Sequence, residues 1–270
     1  MTEATAVSEP DAIEDDTGVL VALDPAGATE AVTSEDAVPA SVLVIVAHPD
    51  DVDFGAAGTI ACWTDVGAQV TYCIVTDGAA GSADPDVDLA TLVSTRQAEQ
   101  REAASIVGVD EVVFLGYPDG KLEPTLDLRH DLSRVIRQVR PDRIVSQSPE
   151  RFFDRIRASH PDHMAAGEAT LRAVYPDARN PFAHPDLLSE GLEPFEVGEV
   201  WLMASPRADQ PVDITDTFDR KIAALRAHKS QLTDPDGVAG FVREWTSSTA
   251  QRFGLGAARL AEAFQVVDTH

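Results

Sequence analysis

The sequence contains few cysteines and few basic residues. Its two cysteines, Cys62 and Cys73, make neither a disulfide framework nor a metal-ligand spacing, and both lie in apolar stretches that predict buried thiols. Lysine and arginine total 21 against 46 aspartates and glutamates, for a formal net charge of −25. Because nucleic acids and anionic membrane surfaces are bound by clusters of basic side chains, this charge argues against both kinds of partner.

Long apolar runs are missing as well. No stretch approaches the roughly 20 apolar residues of a membrane-spanning helix. The segment "MTEATAVSEPDAIEDD" at the start has neither the basic beginning nor the apolar centre of a secretory signal. The sequence therefore predicts a soluble cytoplasmic protein without membrane insertion.

Residues 1–39 contain no lysine or arginine and are rich in acidic and small residues. Such a segment buries too little apolar surface to offset the entropy of ordering it, so we expect a disordered acidic tail. Beyond it the chain shows no internal repeat and no second linker. Residues 40–270 are therefore predicted to form one domain.

From residue 41 onward, strand-like and helix-like segments alternate. "SVLVIVA" is a continuous apolar run, typical of a parallel strand buried on both faces. Further strand-like segments are "QVTYCIVT", "EVVFLGY", "DRIVSQS" and "EVWLMAS", and helix-like segments lie near 54–66, 91–107, 126–139, 162–175 and 217–230. The alternation predicts an α/β fold with a Rossmann-like, mostly parallel sheet flanked by helices. After about residue 179 the pattern is less regular, and we expect a cap region with one or two added strands.

Polar and glycine-rich residues follow each of the first four strand-like segments. The sequences are "HPDD" at 48–51, "TDGAAG" at 76–81, "GYPDG" at 116–120 and "SHPDH" at 159–163. In open α/β sheets, ligands bind outside the carboxyl ends of the strands. These segments are therefore expected to meet at one edge of the sheet and to form the functional site.

Two of these segments predict a metal centre. Pro161 favours the start of a helix, which would present His163 in its first turn. Together with His48 and Asp51 this gives two imidazoles and a carboxylate, a ligand set typical of catalytic zinc that keeps one position open for water. Iron, cobalt or manganese would also accept these ligands.

Two neighbouring side chains complete the predicted chemistry. Asp50 lies next to a predicted ligand and is a candidate general base for a water on the metal. His160 then remains to stabilise an oxyanion or to protonate the leaving group. Each motif alone would also fit a polar turn or a helix cap.

Other polar residues have simpler interpretations. Three histidines show no such context and are expected to be ordinary surface residues: His130, His184 and His270. Four charged residues have helical spacing and are expected to form a solvated helix face: Arg96, Glu99, Arg101 and Glu102.

The pairing of "AHPDD" with a later "HPDH" resembles the PIG-L, or LmbE-like, zinc-dependent N-deacetylases. The resemblance continues through "LGYPDGKL", "VDIT", "KIAALRAHKSQ" and "LAEAF" and covers roughly residues 41–266. It implies zinc bound by His48, Asp51 and His163. It also implies Asp50 as the general base and His160 as the residue assisting the oxyanion or leaving group.

The resemblance also implies residues that contact the substrate. Asp119 matches a substrate-contacting aspartate, although "PDG" is equally typical of a turn. His228 lies in a recurrent family segment, but it would also suit the end of a helix. In the loop "TDGAAG", Asp77 and Ala79 stand where thiol-cofactor pathway deacetylases of the family carry an arginine-containing sequence. Asp77 is a further candidate contact, and a mycothiol-precursor substrate is disfavoured.

The sequence thus predicts a metal-dependent hydrolase that deacetylates an N-acetylated amino sugar or glycoside of the N-acetylglucosamine type. A nucleotide-binding dehydrogenase is disfavoured, because no G-x-G-x-x-G follows the first strand. A second alternative is a non-catalytic sugar- or partner-binding protein that retains the fold. The full ligand set beside Asp50 argues against it. Association into a homo-oligomer is left open by the sequence.

Overall fold

The computed structural model describes residues 38–270, so the predicted acidic tail lies almost wholly outside the described residues. Seven strands form one sheet: β1 (Ser41–Val46), β2 (Gln69–Thr76), β3 (Glu111–Tyr117), β4 (Arg143–Gln147), β5 (Glu199–Met203), β6 (Gln210–Asp213) and β7 (Ala261–Asp268). Their order across the sheet is β3-β2-β1-β4-β5-β7-β6. The first five are parallel, and β7 runs antiparallel to both of its neighbours. The predicted α/β fold with a mostly parallel sheet is confirmed.

Helices cover both faces of this sheet. They are α1 (Asp51–Gly55), α2 (Ala57–Asp65), α3 (Leu89–Ile106), α4 (Leu126–Val139), α5 (Pro161–Arg172), α6 (Pro185–Ser189), α7 (Phe218–Ala227) and α8 (Val238–Arg252). A 3₁₀ segment, Phe153–Ser159, precedes α5. No helix among residues 38–270 is long and apolar enough to cross a membrane.

The apolar run of β1 is buried because it lies at the centre of three layers. Successive side chains of a strand point to opposite faces. Val42, Val44 and Val46 accordingly join a core with the buried faces of α2, α3 and α7. Leu43 and Ile45 join a second core with α4 and α5. A strand buried on both faces explains the absence of alternation in its sequence.

The strand order places a switch point beside β1. From β1 the chain proceeds to β2 and β3 on one side and then returns to β4 on the other side. Connections that leave adjacent strands in opposite directions open a crevice at their carboxyl ends. The segments after β1 and β4, which carry "HPDD" and "SHPDH", flank this crevice.

Gly167 allows α5 to approach β4 very closely. A Cβ atom at this position would lie 2.2 Å from the carbonyl oxygen of Gln147. Only glycine therefore fits here without a backbone shift. The contact fixes α5 against the end of β4, one helical turn beyond His163.

The C-terminal region is more regular than the sequence indicated. Strands β5, β6 and β7 all extend the same sheet, and α7 and α8 pack against one of its cores. Strand β7 was hard to recognise because it is only partly buried and mixes polar with apolar residues. Helix α8 was not predicted.

The predicted solvated helix face is wrong for two of its four residues. Arg96 and Glu99 are buried, whereas Arg101 and Glu102 are exposed. Burial of Arg96 and Glu99 is tolerated because both are hydrogen-bonded to groups outside their own helix.

The expected burial of the two cysteines and exposure of three histidines is found only in part. Cys73 is buried and Cys62 is half-buried, and both are free thiols. His270 is exposed as expected. His130 and His184 are instead half-buried, and they pair with Asp186 and Asp177 respectively.

A buried ion pair joins α7 to β7 beneath the crevice. Lys221 Nζ lies 2.7 Å from Glu262 Oε1, and the two side chains are 0% and 2% exposed. Lys221 also donates to the backbone carbonyls of Asp53 and Phe54 in α1. Glu262 also accepts hydrogen bonds from the backbone N–H groups of Gly58 and Thr59 at the start of α2.

Replacing Lys221 by Met should leave Glu262 buried without its cationic partner. Breaking such a pair costs about 3–5 kcal/mol. Urea unfolding followed by circular dichroism measures this loss. Lys229→Met is the matched control, because Lys229 pairs with Glu102 in an exposed position and should change stability little. Equal losses for the two variants would contradict the structural role of the buried pair.

Candidate active site

The segment after β1 contributes His48, Asp50 and Asp51. Asp50 caps the start of α1 and adopts a left-handed backbone conformation, with φ 92° and ψ −25°. Non-glycine residues in this region are strained, and such strain is concentrated at functional sites. The backbone N–H of Asp50 donates to Gln100 Oε1 on α3 at 2.8 Å.

The segment after β4 contributes His160 and His163. Helix α5 begins at Pro161 as predicted, and His160 is its N-cap. The Nδ1 atom of His160 accepts the backbone N–H of Asp162 at 3.2 Å. His163 Nδ1 lies 3.3 Å from the carbonyl oxygen of Ala158. Because a carbonyl only accepts, this contact places a proton on Nδ1 and leaves Nε2 free to bind a cation.

Asp51 lies between the two predicted histidine ligands. Its Oδ2 is 3.2 Å from His48 Nδ1, and its Oδ1 is 3.0 Å from His163 Nε2. The ring of His160 lies 5.0 Å from that of His48 and 5.3 Å from that of His163, measured between centroids. The crevice thus brings together the side chains that the two motifs supply.

The far side of His48 is held by two further carboxylates. His48 Nε2 lies 3.0 Å from Asp119 Oδ1 and 3.3 Å from Asp162 Oδ2. Asp162 is buried and also accepts the backbone N–H groups of Gly120 and Leu122. It therefore ties the loop after β3 to α5. This role was not predicted from the sequence, although Asp162 lies inside the "HPDH" motif.

Arg96 connects three of the loops around the crevice. Its guanidinium donates to the carbonyl oxygens of Pro49 at 2.8 Å and Gly78 at 2.7 Å. The same group lies 3.4 Å from Asp50 Oδ2 and 3.9 Å from Asp119 Oδ2. A buried cation thus stands beside the strained aspartate.

The carboxylates of the site stabilise positive charge on His48 and His163 but not on His160. Burial lowers the pKa of His48, but Asp51 and Asp119 outweigh it and raise this pKa to about 11. Burial also lowers the pKa of His163, and Asp51 more than compensates, so that its pKa is raised. His160 has no such carboxylate contact, and burial together with His48 and His163 lowers its pKa.

The pKa values of the adjacent aspartates Asp50 and Asp51 are shifted in opposite directions. Burial and the charge of Asp51 raise the pKa of Asp50 to about 7, against the opposing effect of Arg96. Burial would also raise the pKa of Asp51, but His163 and His48 hold it well below its usual range. The two adjacent carboxyls therefore differ in their affinity for a proton.

Two predicted substrate contacts have partners within the protein. Asp77 Oδ1 accepts the backbone N–H groups of Ala79 and Asp119, so it organises two loops beside the crevice. His228 is 1% exposed, and its Nε2 lies 2.8 Å from Asp53 Oδ2. Contact of either side chain with a substrate stays a prediction.

The donor atoms are close enough to hold a metal ion. Two compact groups that share His48 occur among residues 38–270. They are His48 with His160 and His163, and His48 with Asp119 and Asp162. Asp51 contacts His48 and His163, two members of the first group. Imidazole and carboxylate donors around a site that favours positive charge suit a divalent cation.

Comparison with known proteins supports a common ancestry for this site and fold. A profile of the PIG-L family, described as GlcNAc-PI de-N-acetylase, matches residues 43–174. The diacetylchitobiose deacetylase of Thermococcus kodakarensis is 32% identical over 227 residues, which cover 84% of this chain and 82% of that protein. A probable N-acetyl-alpha-D-glucosaminyl L-malate deacetylase 2 of Bacillus cereus is 33% identical over 197 residues, covering 70% of this chain and 83% of the relative.

A solved structure shows the same architecture. The N,N'-diacetylchitobiose deacetylase of Pyrococcus horikoshii, determined with an inhibitor, superposes with a TM-score of 0.78. The two chains are 30% identical, and the match covers 85% of this chain and 84% of the other. The similarity therefore spans the sheet, its flanking helices and the crevice.

Proposed function

The chain belongs to the PIG-L family of deacetylases, and from this premise we propose that it is a metal-dependent amidohydrolase that removes the acetyl group from an N-acetylated amino sugar or glycoside. The observation that carries the proposal is the meeting of His48, Asp51 and His163 in the crevice at the switch point. We also propose that residues 40–270 act as one deacetylase domain, because all seven described strands belong to one sheet.

We assign the metal, zinc or another divalent ion such as Fe²⁺, to His48, Asp51 and His163. Second-sphere contacts support this set over the other donor groups. His48 Nε2 faces the carboxylates of Asp119 and Asp162, which leaves Nδ1, the nitrogen next to Asp51, for the ion. Histidine ligands are commonly oriented by a carboxylate or carbonyl on the other ring nitrogen. Asp162 is less suited as a ligand, since it already accepts two backbone amides.

A divalent ion held by these residues would lower the pKa of a bound water and polarise the acetamide carbonyl. The other steps fall to the side chains of the chain itself. Asp50 removes the proton of the attacking water, and a base with a pKa near 7 is suited to this role at neutral pH. His160, at the exposed mouth of the site, stabilises the oxyanion and assists proton transfer to the departing amine.

The names of the relatives support an N-acetylglucosamine-type substrate. One relative is a diacetylchitobiose deacetylase, and another is a probable deacetylase of an N-acetylglucosaminyl malate. Asp119 borders the crevice and is our first candidate for a substrate contact. Asp77 and His228 remain weaker candidates, since both already have partners within the protein. A sugar-binding protein without catalysis would have no use for a base beside the metal ligands.

Metal binding tests the ligand assignment. Purified protein should contain about one divalent ion per chain, and His163→Ala should lose most of it. Elemental analysis after dialysis against a weak chelator provides the measurement. His184→Ala is the matched control, because His184 lies in a separate cluster with His130 and Asp177. Metal content that survives His163→Ala would remove His163 from the ligand set.

Substituting the proposed base separates metal binding from turnover. Asp50→Asn should keep the metal but lower kcat by about 10²–10⁴-fold, because the amide cannot accept the water's proton. Asparagine tolerates left-handed backbone conformations, so the loop should be preserved. Steady-state kinetics and metal analysis on the same preparation give both quantities. Near-normal kcat in this variant would exclude Asp50 as the base.

Acetate release tests the reaction itself. We expect release from N-acetylglucosamine glycosides or diacetylchitobiose, and loss of release after removal of the metal with recovery on adding it back. An enzyme-coupled acetate assay over a panel of free, glycosidic and lipid-linked acetylated amino sugars makes the measurement. Absence of acetate from the whole panel, with metal bound, would favour a binding protein.

A further inference from the structure

The backbone strain at Asp50 requires an explanation in the surrounding contacts. Among residues 38–270, three non-glycine residues have positive φ: Asp50, Arg140 and Ala204. Of these, Asp50 alone lies beside the proposed metal ligands. A strained conformation persists only where neighbouring groups determine it. The groups that hold Asp50 are therefore part of how the site is built.

A buried chain of hydrogen bonds reaches Asp50 from α3. The Asp50 backbone N–H donates to Gln100 Oε1 at 2.8 Å, and Gln100 Nε2 donates to Asp53 Oδ2 at 2.9 Å. Asp53 Oδ2 also lies 2.8 Å from His228 Nε2. Gln100 and Asp53 are 0% exposed and His228 is 1% exposed, so water does not compete for these contacts.

The chemistry of the two partners fixes the orientation of the Gln100 amide. A backbone N–H only donates, so the amide oxygen must face Asp50, and the amide nitrogen then faces Asp53 Oδ2. Reversal would leave buried donors opposed to each other and buried acceptors opposed to each other. Asp53 and His228 thus hold Gln100 in the single orientation that can bind the Asp50 backbone.

Arg96 holds the same segment from the other side. It donates to the carbonyl of Pro49, directly before Asp50, and to the carbonyl of Gly78. The peptide that enters Asp50 is therefore fixed at its oxygen by Arg96 and at its nitrogen by Gln100. Both side chains come from the buried face of α3.

We propose that Gln100 is a positioning residue for the reaction, which holds Asp50 in its left-handed conformation and so aims the base at the water. The inference rests on the proposed function. Asp51 points to His48 and His163, whereas Asp50 lies next to Arg96. The turn at Asp50 allows two neighbouring carboxylates to serve different partners. A misplacement of a catalytic group by about 1 Å can cost about 10²-fold in rate.

The test replaces Gln100 by Met, which has a similar length but no acceptor for the Asp50 N–H. We expect kcat to fall about 10–100-fold, with KM and metal content near those of the wild type. Gln97→Met is the matched control: Gln97 lies three residues away on the same helix, is half-buried, and should change kcat little. An unchanged kcat in Gln100→Met would overturn the proposal.

A double-mutant cycle separates positioning from general stabilisation. If Gln100 acts through Asp50, Gln100→Met should cost almost nothing further in the Asp50→Asn background, because the base is already absent. A full additional loss there would overturn the proposal. If Gln100→Met fails to fold, Gln100→Leu and Asp50→Asn/Gln100→Leu replace it, since leucine likewise has no acceptor for the Asp50 N–H.

A wild-type protein that binds metal but releases no acetate refutes the proposed function, and this inference with it. If the wild type is active but the losses of kcat caused by the two substitutions add fully in the double mutant, only the inference about Gln100 is refuted.

Discussion

The contact of one carboxylate, Asp51, with two imidazoles from opposite sides of the sheet's switch point is the constraint on which the site depends. His48 and Asp51 follow β1, and His163 follows β4, so they meet only if these two strands are neighbours. The close contact of Gly167 with the end of β4 then sets the distance of α5 from the sheet. Strand order and helix packing therefore decide whether the ligand atoms converge.

Burying several carboxylates close together is unfavourable, and nearby hydrogen-bond donors and a cation offset this cost. Asp162 is buried, but two backbone amides and His48 satisfy it. Arg96 brings a buried guanidinium to the side of Asp50 and Asp119. The same groups fix the loops that surround the proposed metal site. Asp162 and Arg96 thus both hold the loops in place and set the charge of the site.

The sequence predicted strands β1 to β5 and most helices, because each of these depends on local pattern. It predicted that His48, Asp51 and His163 lie close together because the segments that follow parallel strands meet at one edge of the sheet. A buried apolar run and the polar residues that follow it are recognisable without knowledge of the neighbours. The roles of Arg96 and Gln100 could not be predicted from local pattern. Both residues lie on a helix whose composition resembles a solvated surface, and only the tertiary structure shows that this face packs beneath the active loops.

Strand β7 was expected only as one of one or two added strands without bounds, and helix α8 was not predicted, for a related reason. An antiparallel strand near the sheet's edge is partly exposed, so its apolar pattern is weak. The buried residues of α8 are few and separated, and a helix of this kind gains its stability from packing rather than from its own sequence. Both elements depend on tertiary contacts: β7 pairs with β5 and β6, and α8 packs against one of the cores of the sheet.

The different environments of Asp50 and Asp51 explain how adjacent identical residues can perform different chemistry. Asp51 lies against two imidazoles, which lower its pKa and suit it to remain ionised as a metal ligand. Asp50 has a raised pKa because it is buried beside that negative charge. Opposite shifts in neighbouring groups are typical of acid–base sites, which supports the proposed proton-transfer role of Asp50. The left-handed turn between them is what keeps these two environments separate.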